Sequence, residues 1–200
     1  MKLTIELMKR LSLYLFLLLL TLQTPSLADD IRDFQIEGMS IGDSLLDFMT
    51  VDEIKQNTLP YFPDKRKYYI VGMFNNLKNF DQVEIYLKSN DKNYEIKTLL
   101  AALKGYNLNK CLTKKEEILK DIDKLFSGLE KLSDSKSHEA DETGKSKQYI
   151  DQYNFDSKTH IRLECVKWTN KIKQEKGYQD TLNIVAMTKE IWNWIGSDYR

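Results

Sequence analysis

The residue types able to do chemistry are few in this sequence, and most fail the spacing that their chemistry requires. His138 and Glu139 begin the His-Glu-x-x-His pattern of a zinc protease, but Glu142 stands where the second histidine belongs. Gly144, Lys145 and Ser146 match the end of a phosphate-binding loop. The glycine which that loop needs five positions earlier is Glu139, and Asp141 and Glu142 would repel a phosphate. His160 and Cys165 lie five positions apart in a strand-like stretch, which turns them to opposite faces and disfavours a cysteine-histidine nucleophile. Asp43 and Ser44 lack the Gly-x-Ser-x-Gly turn of a serine hydrolase, and helix capping accounts for both. Asp134, Glu139, Asp141 and Glu142 offer hard oxygen ligands. Without the alternating ligands and central glycine of a calcium loop they read as a solvated charge run. No catalytic residue, metal site or cofactor is expected.

A cysteine pair and an aromatic set remain. Cys111 and Cys165 are the only cysteines. An even pair in an oxidising compartment reads as a disulfide, and two buried small apolar side chains are the alternative. They lie 54 positions apart; closing a loop of that size stabilises a fold by roughly 4 kcal/mol in the chain-entropy model. Two lone thiols are too few for a metal. Trp168, Trp192 and Trp194, with strand tyrosines such as Tyr86, are candidates for a platform that stacks on a sugar or peptide. Packing in the core is the other use of such residues.

These side chains need elements to hold them, and the N-terminus must first be set apart. Lys2, Lys9 and Arg10 precede an apolar run from Leu11 to Leu22, followed by the small-residue exit Ser26-Leu27-Ala28. This is the layout of a secretory signal peptide over residues 1–28, cut after Ala28, with Met8 a tidier start than Met1. The run is too short for a permanent anchor, which needs about 20 apolar residues. The whole chain balances 30 basic against 30 acidic groups. Removing Lys2, Glu6, Lys9 and Arg10 with the signal leaves 172 residues at a net charge of −2. Such a balance lacks the basic field that nucleic-acid binding requires.

Residues 29–200 read as one secreted α+β domain. Asp33–Glu37 is a short strand, and capping pairs Ser44 with Asp47 and Thr50 with Glu53 open two short helices. Pro60 and Pro63 flank an extended turn. Strand patterns cover Lys67–Phe74, Gln82–Lys88 and Tyr94–Leu103, then Gln148–Phe155, His160–Trp168 and Thr181–Met187. Thr113 with Glu116 opens a long amphipathic helix over Lys114–Lys131, with Ile118, Leu119, Ile122, Leu125, Phe126 and Leu129 on one stripe. Ser133–Lys147 lacks periodicity and is expected to be a mobile loop. Thr188 caps a last helix. The expected architecture is an antiparallel sheet of about six strands with helices on one face. Two half-repeats of helix plus three strands, 38–105 and 111–196, are a variant of it.

The string from Phe34 to Phe48, the Cys111 helix, Thr143-Gly144-Lys145-Ser146 and Cys165-Val166-Lys167-Trp168 resemble small uncharacterised secreted proteins of marine alphaproteobacteria, over most of the mature chain. That resemblance implies no activity. A weaker likeness, carried by the Gly38-Met39-Ser40 turn before a short helix, is to the helix-plus-meander modules of the β-lactamase-inhibitor-protein and outer-membrane assembly lipoprotein folds. The lipid-bearing cysteine of the latter is missing, and a fold likeness licenses no function. The expectation is therefore a periplasmic or secreted, non-catalytic binding or assembly module for a protein, peptide or glycan of the cell envelope. The alternative is a periplasmic hydrolase built on scattered carboxylates or on His138 and His160.

Overall fold

The computed structural model describes residues 30–60, 67–155 and 159–198. The expected signal peptide with its cut after Ala28, and the expected turn at Tyr61-Phe62-Pro63, lie outside the described residues. The chain opens with a 3₁₀ turn at Ile31–Asp33, and a second at Leu45–Asp47 capped by Ser44, whose hydroxyl accepts from the Leu46 amide. Helix α1, Val51–Gln56, starts with a full capping box: Thr50 Oγ1 accepts from the Glu53 amide, and the Glu53 carboxylate accepts from the Thr50 amide at 2.7 Å. Strands β1 (Thr58–Leu59), β2 (Tyr68–Met73), β3 (Gln82–Lys88) and β4 (Ile96–Lys104) follow as a meander. Helix α2, Leu108–Leu125, leads to β5 (Lys131–Ser137), β6 (Lys147–Asn154) and β7 (Thr159–Lys167). A short helix α3 (Asn170–Lys176), then β8 (Thr181–Thr188) and helix α4 (Lys189–Asp198), complete the chain.

All eight strands form one antiparallel sheet in the order β1-β2-β3-β4-β8-β7-β6-β5. Each half is a helix followed by four strands, and the last strand of each half, β4 and β8, meet at the centre over seven residue pairs. Strand alternation divides the side chains between two faces. The inner face carries Val83, Ile85 and Leu87, Leu99 and Ala101, Ile161 and Leu163, Ile184 and Ala186. The N-terminal segment covers it through Ile31, Phe34, Ile36, Met39, Ile41 and Leu45, and α2 covers it through Leu119 and Ile122. The outer face is only partly covered. Ile191 and Trp194 of α4 pack on Tyr68, Ile70, Tyr86, Val185 and Met187.

The sheet therefore has eight strands where the sequence pattern suggests six. β5 occupies the stretch expected to be a loop, and β1 is too short to carry a pattern. Each half carries four strands after its helix, not three. The expected strand at Asp33–Glu37 is a 3₁₀ turn and an isolated bridge between Ile36 and Met39. The long helix is present but starts six residues earlier than expected. Asn107 caps it by accepting from the Lys110 amide at 3.0 Å, so Thr113 lies within the helix. Its far end is shorter because the backbone leaves the helix at Phe126, and Gly128 turns with φ +104° towards β5.

Cys111, in the first turn of α2, and Cys165 of β7 form a disulfide with Cα atoms 5.9 Å apart. The bridge pins helix to sheet beside Leu182. Next to it Lys115, almost wholly buried, reaches Asp151 at 2.6 Å and the Tyr149 carbonyl at 3.1 Å. Burial alone would raise the Asp151 pKa; hydrogen bonds from Lys115 and Ser133 outweigh it and hold the carboxyl below its usual range. Among the described residues no helix is long and apolar enough to cross a membrane.

Candidate binding face

The polar members of each strand's alternation define the outer face between α3 and α4. Pairing across the sheet aligns Gln82, Ala102, Asn183 and Glu164 in one row, and Glu84, Leu100, Val185 and Arg162 in the next. Small Ala102 and short Asn183 leave a depression between larger neighbours. It forms a cleft of about 470 Å³, with Trp168 and Tyr178 at one end and Gln82, Glu84 and Asn183 on its floor.

The aromatic end is built by three segments. Trp168 follows β7 directly, and its ring meets Tyr178 at 4.7 Å and His138 at 4.1 Å between centroids. Asp180, at the entry to β8, fixes this corner: it accepts from the Trp168 amide at 2.9 Å, from Lys167 at 2.7 Å and from Lys173 at 2.8 Å. Burial opposes its ionisation, but these donors keep its pKa below the usual value. The turn that carries His138 is held by another carboxylate. Asp141 accepts from the amides and hydroxyls of both Thr143 and Ser146, which drives its pKa far down. The segment expected to be mobile is thus an edge strand and an internally bonded turn. Asp141 is committed to that turn, and among the described residues no group of three or more acidic, histidine or cysteine side chains is placed to hold a metal ion.

On the floor, Glu84 is buried and its carboxyl pKa is pushed up by desolvation, against a hydrogen bond from the Gln82 amide at 2.5 Å and the nearby Lys104 charge. Beside the cleft Arg162 pairs with buried Glu164, and the Arg162 guanidinium lies 6.0 Å from the centre of the Trp192 ring. Trp192 is also set edge-to-face on His160 at 5.3 Å. Burial and the Arg162 charge lower the His160 pKa to about 4, so the ring is neutral at pH 7. Gln148 Oε1, Arg162 Nε and His160 Nε2, all from outer-face residues of β6 and β7, are buried without a hydrogen-bond partner. Such atoms are uncommon in folded proteins.

The four aromatic candidates from the sequence all lie on this face, in different roles. Trp168 lines the cleft. Trp192 is 45% exposed over Arg162 and His160. Trp194 and Tyr86 are buried beneath α4, where Trp194 stacks on Tyr68 at 4.8 Å. Glu84, Asn183, Tyr178 and the Arg162–Glu164 pair were not singled out by spacing. Arginine is rare in this lysine-rich chain, and that rarity is the one sequence signal that points to Arg162. His160 and Cys165 do face opposite ways, and Cys165 is spent in the disulfide. Comparison with protein-family models, with curated proteins and with solved structures finds no match.

Proposed function

We propose that this chain is an exported, non-catalytic binding module that receives its ligand on the outer face of the sheet. The observation that carries the proposal is the uncovered cleft between the Trp168 corner and Glu84, set in a face that α4 covers only over Tyr68, Ile70, Tyr86, Val185 and Met187. A concave site with a few converging polar groups and an acid of perturbed pKa is where ligands bind. The signal-like N-terminus and the disulfide support export, since such bonds persist in oxidising compartments. Protein, peptide and glycan components of the cell envelope are the candidate partners.

Among the described residues, neither the pair Glu84 and Glu164 nor the pair His138 and His160 is brought together for hydrolysis. Glu84 and Glu164 share the outer face but stand three strand spacings apart, about 14 Å. That exceeds the roughly 5–9.5 Å over which paired carboxylates perform acid-base work on a glycoside. His138 meets Trp168 beyond one end of β7, while His160 lies near the other, about 26 Å away along the strand.

Capture from cell-envelope extract tests the proposal, with the full chain as bait beside an Asn183→Arg variant that fills the cleft from a partly buried position. The wild-type chain should retain a partner that the variant loses. Retention of the same partner by both, or no partner above background, would count against the outer face as the binding surface.

A further inference from the structure

Resting on that outer-face reading, we propose that the ligand of the cleft is a neutral saccharide chain. The floor and rim are rich in carboxamides: Gln82, Gln179 and Asn183 line the cleft. A carboxamide presents a donor and an acceptor side by side in one plane, the pattern that neighbouring sugar hydroxyls, each both donor and acceptor, can meet in pairs. At the aromatic end Tyr178 is 41% exposed, braced by Trp168 and approached by Lys176 Nζ at 6.0 Å from its ring centre, and its exposed ring can meet the C–H face of a pyranose.

Charge and size narrow the class. Arg162 and Glu164 neutralise each other beside the cleft, and within its lining the Lys104 ammonium and the Glu84 carboxyl offset each other, so the cleft has little net field to select an ion. At about 470 Å³ it falls within the roughly 300–1,000 Å³ of small-ligand sites. A protein partner needs about 800 Å² per side with an apolar centre, and the cleft offers only Leu100, Ala102 and the rings at its end. An extended peptide would gain its main-chain hydrogen bonds at a sheet edge, since on a sheet face the backbone groups are already paired.

The test is a heteronuclear NMR titration of the full chain with maltohexaose, cellohexaose and chitohexaose, each to about 10 mM, where weak sites with millimolar Kd are visible. At least one should move the side-chain amide signals of Gln82, Gln179 and Asn183. Asn183→Ala and Tyr178→Ala should each weaken that binding about 5- to 20-fold while the spectrum keeps its native dispersion. Silence from all three sugars at about 10 mM, or binding untouched by both substitutions, overturns the saccharide. If the sugars are silent while Asn183→Arg still abolishes envelope capture, the outer face stands and its partner is a protein or peptide. If capture is also unaffected, both proposals fall.

Discussion

At the scale of single residues, the outer face holds two groups kept against their own solvation, and they pull stability in opposite directions with pH. Glu84 is an acid whose pKa is raised by burial. Its contribution is intact below the unfolded pKa of about 4.5 and is lost as pH rises through the folded value. Glu84→Gln keeps a partner for Gln82 and removes the ionisation, so the variant should unfold at higher urea than wild type at pH 7, with the gain vanishing below pH about 4. His160 is the converse: a base whose pKa falls from 6.5 to about 4. Above the unfolded value nothing is lost; as pH drops from 6.5 towards 4 the unfolded chain takes a proton that the folded chain refuses. The cost reaches about 3 kcal/mol at the bottom of that window. His160→Phe preserves the edge-to-face contact with Trp192, and should flatten the fall of the urea midpoint between pH 7 and pH 4. Half-buried His138, also shifted down by burial, leaves a residual slope. An unchanged slope in His160→Phe would assign the titration elsewhere. That a chain tolerates both costs on one face is what a functional surface would show.

At the scale of elements, what was legible in the sequence depended on whether packing or pairing makes the element. β3, β7 and β8 bury one face against the inner core, so alternation at Val83, Ile85 and Leu87 reveals them to the residue or nearly so. β5 is exposed along its whole length, and Lys-Leu-Ser-Asp-Ser-Lys-Ser becomes a strand only because β6 pairs with it at seven positions. No apolar period can announce such a strand. The start of α2 was hidden for a related reason: its first buried side chains are Cys111 and Lys115, one tied by a disulfide and the other by an ion pair, neither of which reads as an apolar stripe. The site divides the same way. Its rings were legible as rings, while Glu84 and Asn183 occupy the polar half of their alternation and look solvated until the outer face is known. β5 also carries a liability, because its outward amides are an open template. Lys131, Asp134 and Lys136 blunt it, and Asp134 additionally accepts from the Ser135 amide at 2.7 Å. Replacing Asp134 and Lys136 together by valine should turn this edge self-adhesive. The outcome to look for is concentration-dependent association in sedimentation velocity; a variant that sediments like wild type would place the protection elsewhere.

At the scale of the whole molecule, two similar halves raise the question of whether they fold as one. Each is a helix with a four-stranded meander, and a pair of independent modules would unfold in two steps. The seam speaks against independence. β4 and β8 share seven residue pairs, and the inner core runs without a break from Val71 and Val83 in the first half to Leu163 and Ile184 in the second. The N-terminal segment spans the boundary as well, since its first turn rests on β7 while Leu45 joins the core with Ile85 and Leu99. The disulfide lies entirely within the second half and closes a 54-residue separation, so it separates the two behaviours experimentally. Cys111→Ala with Cys165→Ala should cost roughly 4 kcal/mol by the chain-entropy estimate. In a single cooperative unit that loss is felt everywhere, and native-state hydrogen exchange should show protection in β3 and β4 falling by as much as in β7 and β8. In two modules β3 and β4 would keep their protection while β7 and β8 lost theirs. The expected outcome is the shared loss. A sheet whose central pair comes from both halves gives neither half an intact edge of its own, and the outer cleft, which draws its floor from β3, β4 and β8 together, depends on that seam remaining closed.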